Sequence, residues 1–297
     1  MNRHRLLNAL AAVSGLCSLT AYGAQNDQLP TDLVALPDGS INVAVYASHQ
    51  SLSGPWMDGA KLRSGEGSVA LGAFRINRHF AFGENKRYSI APVLALTTAS
   101  TEADATMVIP AGRESSGFGD VRLGSVFWFH KDDVNRQYAN ASVFFSLPTG
   151  DYDRTKAVNV GENRMKTILS MGWMQPLGSR WVLDLIPEIA FFGDNSRYLG
   201  NRRLSQDTAY AMTGMLRYKA TPTLHWYTSA QINRGGETQL DGVRRTGAPD
   251  NTRLYLGAIL FGSNNHMLQL RYSRDVQIEN GNRNDGEMAI RWSTYFK

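Results

Sequence analysis

Between residues 267 and 275 the chain alternates: Leu268, Leu270 and Tyr272 stand between Gln269, Arg271, Ser273 and, further on, Asp275. The same two-residue period runs through 224–233. There Leu224, Trp226, Ala230 and Ile232 alternate with His225, Tyr227, Ser229, Gln231 and Asn233. In 287–296, Met288, Ile290, Trp292 and Phe296 alternate with Glu287, Arg291, Ser293 and Tyr295. A period of two is the side-chain period of a β-strand, so each segment has one apolar and one polar face. Segments 88–97, 121–129 and 254–261 are apolar at most positions. They fit strands at a membrane girdle or against a filled interior. Candidate strands are 40–50, 67–82, 87–97, 117–130, 137–147, 164–175, 181–192, 207–219, 224–233, 251–262, 266–278 and 286–297.

The links between them alternate in length. Short links fall at 83–86, 131–136, 176–180, 220–223 and 263–265; longer polar links fall at 51–66, 98–116, 148–163, 193–206, 234–250 and 279–285. After residue 24 no apolar run is long enough for a membrane helix. Lipid offers no hydrogen-bond partner, so a sheet crosses it only if it closes on itself. The expected fold is all-β: a closed antiparallel up-and-down transmembrane β-barrel of about twelve strands, with short periplasmic turns and long extracellular loops. Trp128, Trp173, Trp181, Trp226 and Trp292 lie near strand ends, as interfacial girdles require. A soluble β-sandwich or lipocalin-like barrel also explains the alternation, but explains these aromatics less well.

The N-terminus adds an address. Arg3, His4 and Arg5 precede a mostly apolar stretch, 6–20, and Ala21-Tyr22-Gly23 offers small residues for cleavage after Gly23 or Ala24. Residues 1–24 are expected to be a signal peptide, 25–39 a periplasmic segment or plug, and 40–297 the barrel. Leu16 before Cys17 is too large for a lipoprotein signal. The expected location is the Gram-negative outer membrane, among its lipid and lipopolysaccharide. The aromatic final strand, 292–296, suits the outer-membrane assembly machinery, although Lys297 follows Phe296.

Removing 1–24 takes Arg3 and Arg5 from the 31 Lys and Arg and nothing from the 26 Asp and Glu, leaving a net charge of +3. That balance makes no case for nucleic acid. Cys17 is the single cysteine, so the processed chain has no thiol chemistry. Asp184 and Glu188 share a strand face, but lie roughly 13 Å apart along it, too far to share a proton. His79, His225 and His266 are isolated, with no zinc spacing. The chain is expected to have no cofactor, no metal and no enzymatic activity.

If the apolar face meets lipid, Asp120, Arg122, Arg164, Lys166, Asp184, Glu188, Asp207, Arg217, Lys219, Arg271, Asp275, Glu287 and Arg291 face the lumen. Tyr138, Phe144, Tyr227 and Tyr295 add inward aromatic surface. Both charge signs occur in similar number, so the tally does not point to a pore dedicated to acidic sugars.

Three stretches resemble the MetA-pathway phenol-degradation family of transporter-like outer-membrane proteins. They are Gly117-Phe118-Gly119-Asp120-Val121-Arg122-Leu123-Gly124, Leu147-Pro148-Thr149-Gly150-Asp151-Tyr152-Asp153 and Asn159-Val160-Gly161-Glu162-Asn163-Arg164. In the last third only the strand rhythm matches. The resemblance implies uptake of aromatic compounds and brings no catalytic residues. In the second and third stretches Pro148 ends a strand, and Gly150, Asp151, Asp153, Asn159 and Asn163 favour turns. They read as a structured extracellular loop, or as a gate at the mouth.

Two functions remain open. One is a channel or transporter for passive uptake of small, hydrophobic or aromatic solutes. The other is a structural or adhesive barrel with a closed, ion-paired lumen. In that case Arg197, Arg202, Arg203, Arg244 and Arg245 would touch lipopolysaccharide phosphates, unless they are ordinary solvated loop residues.

Overall fold

A computed structural model describes residues 28–104, 114–244, 248 and 250–297. The strands are β1 (Ile41–Met57), β2 (Ala60–Arg78), β3 (Phe80–Phe82), β4 (Tyr88–Ala103), β5 (Glu114–Phe118), β6 (Arg122–Asp132), β7 (Gln137–Ser146), β8 (Lys166–Leu177) and β9 (Trp181–Phe192). They continue as β10 (Asn195–Tyr198), β11 (Arg202–Gln206), β12 (Ala209–Lys219), β13 (Leu224–Gly235), β14 (Thr238–Leu240), β15 (Val243–Arg244), β16 (Asn251–Phe261), β17 (Met267–Ile278) and β18 (Gly281–Phe296).

Each main strand pairs antiparallel with its neighbours. β1 pairs with both β2 and β18, and β2 with β4, so the sheet has no free edge. β3 prolongs β2 beyond His79, and β5 precedes β6 along β4. Counting each such pair as one stave gives a closed twelve-stave barrel. β10, β11, β14 and β15 form a separate small sheet in the long loops.

The alternation decides which face looks out. Along β13, Trp226, Thr228, Ala230 and Ile232 are exposed while His225, Tyr227, Ser229, Gln231 and Asn233 are buried. Leu256, Met288 and Met171 are likewise exposed in mid-strand. Trp173, Trp181, Trp226 and Trp292 stand outward towards the short-turn end, and Phe145, Phe191 and Tyr210 towards the other, which gives two aromatic girdles. Trp128 is the exception. It points inward and is 2% exposed. Its strand shifts register between Trp128 and His130. That bulge sits beside it, and Trp128 belongs to the interior instead of the girdle.

Two of the expected long loops are strands. β1 and β2 stay paired up to Met57 and Ala60, joined by Asp58-Gly59. Both joining residues have positive φ, 51° and 73°, as a two-residue primed turn needs. β17 and β18 likewise run to Ile278 and from Gly281. Segments 58–66 and 279–285 are polar because they rise above the lipid, where neither strand face need be apolar. The expected link 98–116 is partly strand as well, in β4 and β5. Residues 105–113 lie outside the described set.

Candidate functional site

The barrel interior is occupied from both ends. From the short-turn end, residues 28–40 enter the bore. Leu33 is fully buried among Ala91, Trp128, Tyr138, Met174, Val182, Ile186 and Met215, side chains that point inward from six strands. Polar contacts register the segment along its length. Gln28 Nε2 donates to Ser170 Oγ (3.0 Å), Gln269 Nε2 donates to the Pro30 carbonyl (3.0 Å), and Trp128 Nε1 donates to the Leu33 carbonyl (2.8 Å). The Leu36 N–H donates to His79 Nδ1 (3.3 Å), and the His79 ring lies 5.0 Å from that of Trp128.

Asp32 is the electrostatic anchor of this segment. Its Oδ1 lies 2.7 Å from Arg291 Nη1 and 3.0 Å from Arg75 Nη2. Its Oδ2 accepts from Arg75 Nη1 (3.3 Å) and from the Leu29 N–H (3.0 Å). Burial alone would raise the Asp32 carboxyl, but Arg291 and Arg75 outweigh it and hold it far below the usual carboxylate range. Both guanidiniums also sit over the Tyr46 ring, Arg75 at 5.5 Å and Arg291 at 5.7 Å from its centroid.

At the long-loop end, residues 147–165 fold into the mouth. Val158 is fully buried and Ala157 nearly so, against Leu52 of β1 and Val69 of β2. Asp120 staples this loop by accepting from the N–H groups of Gly150 and Glu162, both at 2.9 Å. Burial is the main force on the Asp120 carboxyl and raises it; those two N–H groups oppose it. Asp151 accepts from the Phe118 N–H (2.7 Å), and Asn159 Oδ1 accepts from the Asp153 N–H (2.7 Å). Asn163 Nδ2 donates to Asn195 Oδ1 (2.9 Å). A Cβ on Gly150 would come within 2.6 Å of the Gly119 carbonyl carbon, so only glycine fits there. Arg164 donates from Nη2 to Glu162 Oε2 (2.8 Å) and to Gln206 Oε1 (2.6 Å). Burial would raise the Glu162 carboxyl, but Arg164 and Lys166 bring it down to about 2.

Beside and between these two intrusions lies a cavity of about 1110 Å³. Its lining reaches from His266 and Pro222 at the short-turn end to Asp120, Val160 and Lys166 under the loop. Arg122, Arg217, Lys219, Tyr227, Arg271, Glu287 and Arg291 line it, as do Phe144 and Tyr295. Arg271 Nη2 donates to Glu287 Oε1 (3.1 Å). Tyr138 is buried under Leu33. Asp184, Glu188 and Asp275 point inward and are buried, but do not line the cavity. Asp275 is instead held by Arg253 Nε (2.7 Å), Asn251 Nδ2 (2.9 Å) and the Asn284 N–H (2.8 Å). Asp207 differs from its expected lumenal place: it is exposed in the link before β12, because its strand begins only at Ala209. Pro148 is exposed just after β7 ends at Ser146.

The sequence reading passes over Asp32, Arg75, His79, Lys131 and Arg253 as lumen groups. For Arg75 the signal was there: Ala73, Arg75 and Asn77 share a face opposite Phe74 and Ile76. For Asp32 there was none, because its partners lie 43 and 259 residues away. Arg202, Arg203 and Arg244 are paired with Asp241, Asp194 and Glu237 in the loop sheet, while Arg197 is exposed and Arg245 lies outside the described residues. Among the described residues no cluster of three His, Cys, Asp or Glu side chains is placed to hold a metal.

A family model described as "Putative MetA-pathway of phenol degradation" matches residues 58–290. Among solved structures, the COG4313 outer membrane channel from Pseudomonas putida F1 is similar at 26% identity and a TM-score of 0.85, over 91% of this chain and 100% of that one. The beta domain of the Bordetella autotransporter BrkA is similar at 11% identity and a TM-score of 0.53, over 88% of this chain and 100% of that one. The transport unit of the autotransporter AIDA-I from Escherichia coli is similar at 8% identity and a TM-score of 0.52, over 97% and 98%. The two autotransporter likenesses show the barrel fold alone. A comparison with curated proteins finds no match.

Proposed function

The chain belongs to the MetA-pathway phenol-degradation family, and from that premise we propose that it is an outer-membrane channel for passive uptake of small hydrophobic or aromatic solutes. The observation that carries this reading is the cavity of about 1110 Å³ running beside residues 28–40 and under loop 147–165. Its volume is slightly above the usual range of small-molecule sites. Trp128, Phe144, Tyr46, Tyr227 and Tyr255 put aromatic surface on its wall. The similarity to a protein described as an outer membrane channel supports the same reading. Residues 28–40 act as a plug held by one ionic and one apolar anchor, and loop 147–165 as a second restriction. Transport needs no chemical step, and the protein is no enzyme.

On this account residues 1–24 direct export, the assembly machinery inserts the barrel, and the exposed apolar belt meets outer-membrane lipid. Among the described loop arginines named above, Arg197 remains for contact with lipopolysaccharide phosphate.

One observation favours the competing reading of a closed structural barrel: inside the bore, Arg253–Asp275 and Arg271–Glu287 pair charge between neighbouring strands, and the Asp32 cluster pairs it between segment and wall. Liposomes loaded with protein decide between the two. The channel reading expects entry of small aromatic solutes to rise with protein content, and more steeply in protein lacking residues 28–36. Liposomes as tight as protein-free ones, with or without those residues, would establish the closed barrel.

A further inference from the structure

The Asp32 cluster has the form of a ligand in a binding site. A single carboxylate is gripped by two guanidiniums. One of them, Arg75, contributes both terminal nitrogens (3.0 and 3.3 Å), and the other, Arg291, contributes one at 2.7 Å. Arg291 Nη2 also donates to Thr31 Oγ1 at 3.2 Å. An aromatic face, Tyr46, backs both guanidiniums. The Arg291 side chain is 2% exposed and that of Arg75 19%. Planar forked donors against an aromatic ring suit a planar carboxylate. The carboxylate itself arrives on a segment that enters from one end of the barrel, is tethered to the wall at Ile41, where β1 begins, and is otherwise held by non-covalent contacts.

The charge of the bore points the same way. Among the described residues, ten Lys and Arg side chains line the cavity against five Asp and Glu, and one of those five is Asp32. The balanced tally expected from strand parity fails here. It omits Arg75, Lys131, Arg136 and Arg253, which line the cavity, and it counts Asp184, Glu188 and Asp275, which do not. Withdrawal of the segment would strip an already cationic bore of a further negative charge. It would leave the Arg75 and Arg291 guanidiniums without the Asp32 carboxylate that now lies against both.

We infer that Asp32 stands in for the solute: Arg75 and Arg291 over Tyr46 form a subsite for the carboxylate of a small aromatic acid, which enters by displacing Asp32. This rests on the channel reading and names its solute class. The segment is then a competitive occupant, so solute binding and plug release are one exchange of carboxylates. Neutral aromatics of the same size lack the group that the subsite grips.

Titration calorimetry on the purified whole protein tests this, with benzoate and benzyl alcohol as probes. Asp32→Ala should bind benzoate at least tenfold more tightly than the unaltered protein, and the isosteric Asp32→Asn should move the same way. Adding Arg291→Gln to Asp32→Ala should reverse the gain, and benzyl alcohol should bind all four proteins alike. Benzoate binding that is indifferent to Asp32, or benzyl alcohol that follows benzoate, would overturn the subsite. Asp32→Asn keeps the size of the side chain, so a folding defect confined to Asp32→Ala leaves the test intact. Conductance of the same preparations in potassium chloride separates this inference from the reading beneath it. Current steps without benzoate discrimination remove only the subsite, whereas benzoate binding without steps in any variant removes only the channel.

Discussion

Replacing Leu33 by alanine should release the N-terminal segment from the bore. Leu33 is fully buried, and its contacts are inward side chains from consecutive strands along one side of the wall, including Trp128, Met174, Ile186 and Met215. Truncating such a leucine costs about 2–5 kcal/mol, because a cavity remains where the methyl groups were. Here the cost falls on docking of the segment and not on the barrel, whose strands hold each other by a closed hydrogen-bond ladder. Taking about 2 kcal/mol as the lower bound, the undocked fraction rises about thirty-fold. A cysteine at Ala35, in a Cys17→Ser background, reports that fraction directly. Ala35 is buried beside Leu33, so a membrane-impermeant maleimide reaches it only when the segment has left. The labelling rate should rise by that factor, with the melting temperature of the barrel unchanged. An unchanged rate would refute the reasoning, since Leu33 would then not be holding the segment. The wall offers the reciprocal test. A Cβ on Gly172 would overlap Leu33 Cδ2, so Gly172→Ala should speed labelling with the segment's own sequence untouched.

Other consequences follow from the same contacts. The Leu36 N–H donates to His79 Nδ1, so His79→Leu removes that acceptor and should speed Ala35 labelling; an unchanged rate would show that this contact does not hold the segment. Arg253→Met leaves Asp275 buried without its cation and should cost roughly 3–5 kcal/mol in detergent unfolding, while Arg253→Met with Asp275→Leu should recover most of it. Equal stability of the single and double variants would contradict that assignment. A Cβ on Gly161 would sit 2.8 Å from the Gly150 carbonyl carbon, so Gly161→Ala should loosen loop 147–165 and increase its proteolysis without altering barrel melting.

The barrel was legible because lipid imposes its pattern. Leu268, Leu270 and Tyr272 must be apolar to face hydrocarbon, and the residues between them are free to be polar. That rule stops at the membrane surface. The strands therefore outrun their expected ends at 58–66 and 279–285, where water bathes both faces. It also says nothing about what an inward residue touches. Trp128 resembles the girdle tryptophans by its position near a strand end, yet a bulge lies beside it and its indole N–H meets the segment backbone. Loop 147–165 was legible as structured from its Pro, Gly, Asp and Asn content. Its burial against Leu52 and Val69 depends on the sheet curling into a barrel, which puts the inner faces of β1 and β2 within reach of the loop after β7. Lumen charge was least legible, because parity assigns a side but not a partner. Asp184 and Arg122 both point inward, and only Arg122 lines the open space.

Single-channel recording of the whole chain beside a chain lacking residues 28–36 tests the central claim most directly. The account predicts rare, brief openings from the whole chain and long, reproducible ohmic steps from the shortened one, with anions favoured over cations. Identical traces from the two, or a shortened chain that folds and stays silent, would contradict it.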